Sequence, residues 1–286
     1  MACRPATLTA ALAPVLVGAA VAWRTAGVGQ LHWMALAAAL FGAVCIQVGT
    51  NLANDVFDHE KGADTAQRLG PTRVTQAGLL TPQEVRRGVV VAFALAVATG
   101  AYLVAVRGLA VVAIGVASIA SGIAYTGGPY PLGYNGLGDV FVFVFFGWVA
   151  VCGTVFVAIG SLPALAWWAA VPVGALATAV LVVNNVRDRQ TDASAGKRTL
   201  VVRFGRSFGA AEYAGLWALA VLTTVGLAVA LRTPWVLLPL ATLPIGVRLT
   251  RAVATMEGVS LNGVLAATAR ALLGFAVLLA VGITVG

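Results

Sequence analysis

Long stretches of this chain carry no charged side chain, and that feature restricts its fold more than any other. The charge-free gaps predict nine membrane spans, near residues 6–24, 31–53, 87–106, 108–126, 139–160, 163–184, 211–230, 234–252 and 264–285. About 20 apolar residues cross a hydrocarbon core about 30 Å thick, and lipid offers the backbone no hydrogen bonds, so each span must be helical. The alternation of a membrane β-barrel, in segments of about 10 residues, is missing. The eighth span carries Pro234, Pro239, Pro244 and Arg248, and the ninth Arg270, which makes their boundaries the softest. Composition closes the soluble alternative: with 60% hydrophobic and 10% charged residues, the 286-residue chain cannot coat a globule. The expected fold class is all-α, a polytopic membrane bundle. The run containing Ala20-Val21-Ala22 faintly resembles a signal-peptide cleavage site, but the many similar runs after it make it a retained first span.

Nine spans with the N-terminus inside leave Arg24, Arg107 and Arg232 as the outer basic residues, one at each of three short turns. The other 15 of the 18 Lys and Arg fall on the inner side, as the positive-inside rule requires. All 10 acidic residues also fall there or at its helix ends, which that rule does not require. Chemistry at the inner face is the simplest reason for gathering them. The net charge of +8 is therefore read as topology rather than as a nucleic-acid footprint. Cys3, Cys45 and Cys152 have no CxxC spacing and read as small apolar fillers.

The second and sixth spans end in related segments, NLANDVFDHEKGAD at 51–64 and NNVRDRQTDASAGKR at 184–198. Asn51 to Asn184 and Asp55 to Asp188 share an offset of 133 residues, as a relic of an internal repeat would. Asp55 and Asp58 are three apart, and Asp188 and Asp192 four apart, so each pair shares a face if its helix continues. Paired carboxylates at a helix C-terminus repel each other and the helix dipole, and a cation must compensate. Hard oxygen donors favour Mg²⁺, while the isolated His32 and His59 argue against zinc or copper. The plain alternative is a set of solvated loop charges paired with nearby bases. Lys61, Arg68 and Arg73 flank the first pair, and Arg187, Lys197 and Arg198 the second. Carboxylates for a metal beside cations for oxyanions are the parts that bind a diphosphate leaving group. With no P-loop and no GxGxxG after a strand, a diphosphate on a lipid tail fits better than a nucleotide.

The segment NDVFDHEKGAD resembles the first Asp-rich motif of the UbiA-type intramembrane aromatic prenyltransferases, and NNVRDRQTDASAGKRTLVVRFG resembles their second. The segments at 62–80, 125–147 and 195–200 look most like the branch that accepts 1,4-dihydroxy-2-naphthoate. Gly62 stands where some relatives have a third Asp, and the next acid is Asp64. The resemblance implies one domain over 1–286, nine transmembrane helices around a central cavity open to the cytoplasmic side, and placement in the cell inner (plasma) membrane. It implies Mg²⁺-dependent transfer of a polyprenyl chain from its diphosphate to the naphthoate ring, with loss of CO₂ and pyrophosphate. By motif, Asp55, Asp58, Asp188 and Asp192 would hold the metal and Asn54 and Asn184 would support them. Lys197, Arg198, Arg68 and Arg73, with Lys61 beside them, would meet the diphosphate.

The loop at 125–139 brings Tyr125, Tyr130, Tyr134 and Asp139 to the same face through a Thr126-Gly127-Gly128-Pro129 turn. Tyr125 or Asp139 is expected to position the naphthoate or to stabilise an allylic cation, while Tyr130 and Tyr134 read as interfacial anchors. Phe141, Phe143, Phe145, Phe146 and Trp148 read as lipid contact or core packing rather than as an isoprenoid lining. A cation-coupled transporter is the rival from another class, but its acids belong near the midplane, not at helix ends. Relatives acting on 4-hydroxybenzoate, homogentisate or haem would share both acidic loops.

Overall fold

The computed structural model describes residues 5–62 and 69–286, and every regular element among them is helical. In chain order these are α1 (Pro5–Ala26), α2 (Trp33–Glu60), α3 (Pro82–Arg107), α4 (Ala110–Ala124), α5 (Gly138–Ile159) and α6 (Ala164–Arg187). Two short helices, α7 (Arg189–Ser194) and α8 (Leu200–Phe204), precede α9 (Arg206–Leu231), α10 (Pro234–Thr255) and α11 (Leu261–Val285). Among the described residues, eight helices are long and apolar enough to cross a membrane. The predicted fourth span is the short α4, whose 15 residues make about 22 Å of helix.

The helix ends depart from the charge-free gaps for local reasons. α3 begins five residues before the predicted 87 because Thr81 and Glu84 form a reciprocal capping box with Pro82 in the first turn. α2 continues past the end of its apolar run to Glu60, so Asp55 and Asp58 ride a continuous helix. In α10, Pro234 and Pro239 remove backbone donors, and residues Pro234–Thr242 wind as a 3₁₀ helix before α-helix resumes. Two of the three arginines assigned to outer turns bind neighbouring helix ends. Arg107 donates to the carbonyls of Val157 and Ala158, and Arg24 to that of Ile283.

α6 is the central post, packed against α1, α5, α9 and α11, while α1 meets α11 so that the first and last helices close the bundle. Its run of Ala, Gly and Val lets neighbours approach closely, which is how helices associate where no hydrophobic difference separates protein from lipid. The tightest crossing is with α5. A Cβ on Gly174 would stand 2.7 Å from the Phe143 carbonyl oxygen and 3.1 Å from the Gly147 Cα. At that crossing α5 loosens into a π turn over Phe143–Val149. Such a turn is characteristic of functional sites.

We expect Gly174→Val to push α5 off α6 at a cost of about 2 kcal/mol. The measurement is thermal unfolding in detergent. A variant as stable as the parent would show that this crossing is not close-packed.

Candidate active site

At the end of α2 the two carboxylates have different partners although they share a helix face. Asp58 is buried, and Arg73 Nη2 donates to its Oδ2 at 2.6 Å while the Tyr134 hydroxyl donates to its Oδ1 at 2.7 Å. Asp55, one turn earlier and equally buried, accepts from the backbone N–H groups of Val74 at 3.1 Å and Thr75 at 3.3 Å. It therefore fixes the segment that presents Arg73.

At the end of α6, Arg187 forms a two-pronged pair with the neighbouring Asp188, through Nε at 2.8 Å and Nη2 at 2.6 Å. The same guanidinium donates to Asn184 Oδ1 and to Asn262 Oδ1 on α11. Asn262 in turn donates to the Leu69 carbonyl, linking the second acidic segment to the loop after the first. The chain bends at Asp188 and resumes as α7, where the Asp192 amide donates to the Asp188 carbonyl. This keeps both carboxylates on one side, as their spacing predicts.

The segments converge on Lys197. Its ammonium lies 3.3 Å from Asp192 Oδ1 and 3.8 Å from Asp58 Oδ1, one acid from each Asp-rich segment. Burial pushes the Asp192 carboxyl above its ordinary range, and Lys197 opposes that rise. Beside these groups lies a cavity of about 630 Å³ lined by Asp58, Asp188 and Asp192 and by Arg73, Arg187 and Lys197. It adjoins an apolar pocket of about 240 Å³ between α2, α3, α4 and α5. Gln47, Thr50, Tyr125, Val142 and Phe146 line both spaces.

Of the other residues expected from sequence, Asn54 and Asn184 line the cavity, and Asn54 accepts from the Thr126 hydroxyl at 2.8 Å. Tyr125 stands at the junction. It is half-buried and lines both spaces, and burial with the nearby Asp139, Asp192 and Asp58 pushes its phenol well up, so it stays protonated. Lys61 lies at the rim, hydrogen-bonded to the Thr126 carbonyl. The side chains of Asp139, Asp55 and Arg198 do not line the cavity: Asp139 is buried on α5 with Oδ1 unpartnered, and Arg198 is exposed. Asp64 and Arg68 lie outside the described residues.

Two expectations need correction. Tyr134 is no interfacial anchor, since its hydroxyl is on Asp58 and its ring faces the cavity. The aromatic run is divided by the π turn: Phe141, Phe145 and Phe146 line the apolar pocket, whereas Phe143 and Trp148 pack edge to face in the core. The clamp of Arg187 and Asn262 has little signal in the sequence. Arg187 adjoins an expected ligand, but nothing in the sequence near Asn262 marks it.

The donor set suits a hard divalent cation, because the described lining offers carboxylate, amide and hydroxyl oxygens and neither thiol nor imidazole, and an ammonium already sits between the two acidic segments. No group of three such ligands is compact enough among the described residues to enclose an ion by itself. An ion here must complete its shell with ligand oxygens and water, the usual habit of Mg²⁺. The three acids and three bases of the lining balance formally, so a diphosphate entering without a divalent ion would leave excess negative charge in a confined space.

Removing one partner of a buried ion pair strands the other. Arg187→Met should cost about 3 to 5 kcal/mol in unfolding experiments, whereas Arg86→Ala, which breaks the exposed pair with Glu60, should cost at most about 1 kcal/mol. Equal costs would show that Arg187 is not a structural clamp.

Residues 11–262 match the UbiA prenyltransferase family. The chain is 41% identical over 246 residues to a 1,4-dihydroxy-2-naphthoate octaprenyltransferase of Mycobacterium tuberculosis, covering 86% of this chain and 82% of that protein. It is 37% identical to the enzyme of that name from Mycobacterium leprae, covering 98% of this chain and 94% of the relative. Among solved structures, the apo form of a UbiA homolog from Aeropyrum pernix K1 superposes with a TM-score of 0.71 at 16% identity, covering 99% of this chain and 98% of the other. A UbiA homolog from Archaeoglobus fulgidus bound to DMAPP and Mg²⁺ gives 0.66 at 15% identity, with 96% and 97% covered. With its membrane-length helices and this extent of similarity, the chain is a multi-pass membrane protein that belongs to the UbiA prenyltransferase family.

Proposed function

We propose that this chain transfers a polyprenyl group from polyprenyl diphosphate to 1,4-dihydroxy-2-naphthoate, releasing CO₂ and pyrophosphate and giving demethylmenaquinol for menaquinone biosynthesis. The observation that carries the transfer chemistry is the meeting of a charged cavity with an apolar pocket at Tyr125. The naphthoate acceptor is supported by relatives of that name at 36–42% identity.

The diphosphate belongs in the charged cavity and the tail in the apolar pocket, which puts the allylic carbon at the junction. Arg73 and Lys197 meet the diphosphate oxygens, with Lys61 at the rim. Mg²⁺, when bound, neutralises the diphosphate as it leaves. The residues that would hold it are Asp58, Asp188 and Asp192, which line the cavity; Asp55, held by two backbone amides outside the lining, would join them only by moving. As the C–O bond breaks, positive charge develops on the allylic carbon beside the protonated Tyr125, whose ring face favours a cation. The apolar lining, with Phe141, Phe145 and Phe146, keeps water from that carbon. The ring then forms the new C–C bond and its carboxylate leaves as CO₂. The basic residues on the inner loops support an inner (plasma) membrane placement with the N-terminus cytoplasmic. The whole of 1–286 then works as one domain around this cavity.

Purified protein supplied with Mg²⁺, an allylic diphosphate and 1,4-dihydroxy-2-naphthoate should release pyrophosphate and CO₂ in equal amounts. Asp58→Asn and Asp188→Asn should each lower turnover more than about 100-fold while leaving the protein folded. Preference for 4-hydroxybenzoate or homogentisate over the naphthoate would refute the acceptor, and full activity of the doubly substituted protein would refute the site.

A further inference from the structure

We propose that Tyr134 is a positioning residue for the diphosphate end of the cavity, its hydroxyl holding Asp58 while its ring gathers Lys61 and Lys197. The inference deepens the reading above and rests on the assignment of this end to the diphosphate.

Three chain segments meet on this side chain. Lys61 follows α2, Lys197 follows α7, and Tyr134 lies in the turn between α4 and α5. The ammonium groups sit 4.9 Å and 4.8 Å from the centre of the Tyr134 ring. The backbone holds the ring in place: the Arg198 amide donates to the Tyr134 carbonyl at 2.7 Å. At Gly136, with φ of 78°, a Cβ would stand 2.9 Å from the Arg198 carbonyl oxygen, so the turn closes against the second acidic segment only with glycine there.

Two ammonium groups on one ring repel each other. Burial lowers the pKa of Lys61, and Lys197 lowers it further against the pull of Asp58. Asp58, 3.8 Å from Lys197, relieves part of that repulsion, but a carboxylate also cancels charge that an incoming anion needs. An aromatic face attracts cations through its quadrupole and carries no charge of its own, so it adds to the hold on the pair without neutralising it further. The hydroxyl of the same side chain orients Asp58, as hydrogen bonds from a second layer orient metal-facing carboxylates. A simple membrane anchor would need neither contact.

Because the ring and the hydroxyl have separate tasks, two substitutions separate them. The probe is inorganic pyrophosphate binding to the purified full chain by calorimetry across a Mg²⁺ series, which needs no aromatic acceptor. Tyr134→Phe keeps the ring, so at saturating Mg²⁺ its pyrophosphate affinity should stay near that of the parent. The Mg²⁺ concentration for half-maximal binding should rise about tenfold. Tyr134→Leu should show the same Mg²⁺ shift and also bind pyrophosphate about tenfold more weakly at saturating Mg²⁺. In a Lys61→Met background the added loss from Leu should shrink, since the ring would have one cation left to hold. If the Leu variant does not fold, Tyr134→Met, which likewise has neither ring nor hydrogen-bond donor, provides the same contrast. Parent-like Mg²⁺ and pyrophosphate binding by the Leu or Met variant would overturn the proposal, as would a Phe variant that loses as much pyrophosphate affinity as Leu. A parent protein that binds pyrophosphate with this Tyr134 dependence yet does not prenylate the naphthoate would sink the proposed reaction instead.

Discussion

Carboxylates withdrawn from water must be matched by positive charge, and the arrangement of this site follows from that requirement. Asp58, Asp188 and Asp192 are all buried at the end of an apolar bundle. Each is held by a base from nearby in the fold: Arg73 on Asp58, Arg187 on Asp188, and Lys197 shared between Asp192 and Asp58. The pairing explains why basic residues stand in or just beyond both acidic segments. It also leaves the lining balanced, so anion and divalent cation are best accommodated together.

The second requirement is a boundary between two solvents within one cavity. A lipid diphosphate has a head that needs charge and a tail that needs none, and its reactive carbon lies between them. The bundle makes that boundary with few residues. Gln47, Thr50 and Tyr125 face both sides, and the π turn in α5 coincides with the place where Phe145 and Phe146 line the apolar side. The close Gly147–Gly174 contact anchors the same stretch of α5 to the central post α6.

Much of this was legible in the chain. The spans follow from charge-free gaps because burial in lipid is a property of single segments. The acidic pairs follow from helical spacing, which α2 preserves and the bend at Asp188 does not disrupt. The shared offset between the segments does not extend to their contacts: Asp55 holds backbone amides of the next loop, and Asp188 an arginine beside it. Tyr134 reads as an anchor in the sequence because a tyrosine near a helix end usually marks the lipid interface, and periodicity carries no information on what lies across the cavity.

The sequence alone therefore determined the solvent, the helical class, and the gathering of hard oxygen donors at the ends of two helices. These depend on residue type and on distances of a few residues along the chain. Only the tertiary structure decided which acid meets which base, which aromatic residues line the apolar pocket, and that Asn262 and Tyr134 bind the two acidic segments. Asn262 stands 193 residues from the Leu69 carbonyl it binds, and Tyr134 stands 76 from Asp58. Contacts across such separations arise when helices close around a common space, and no local pattern encodes them.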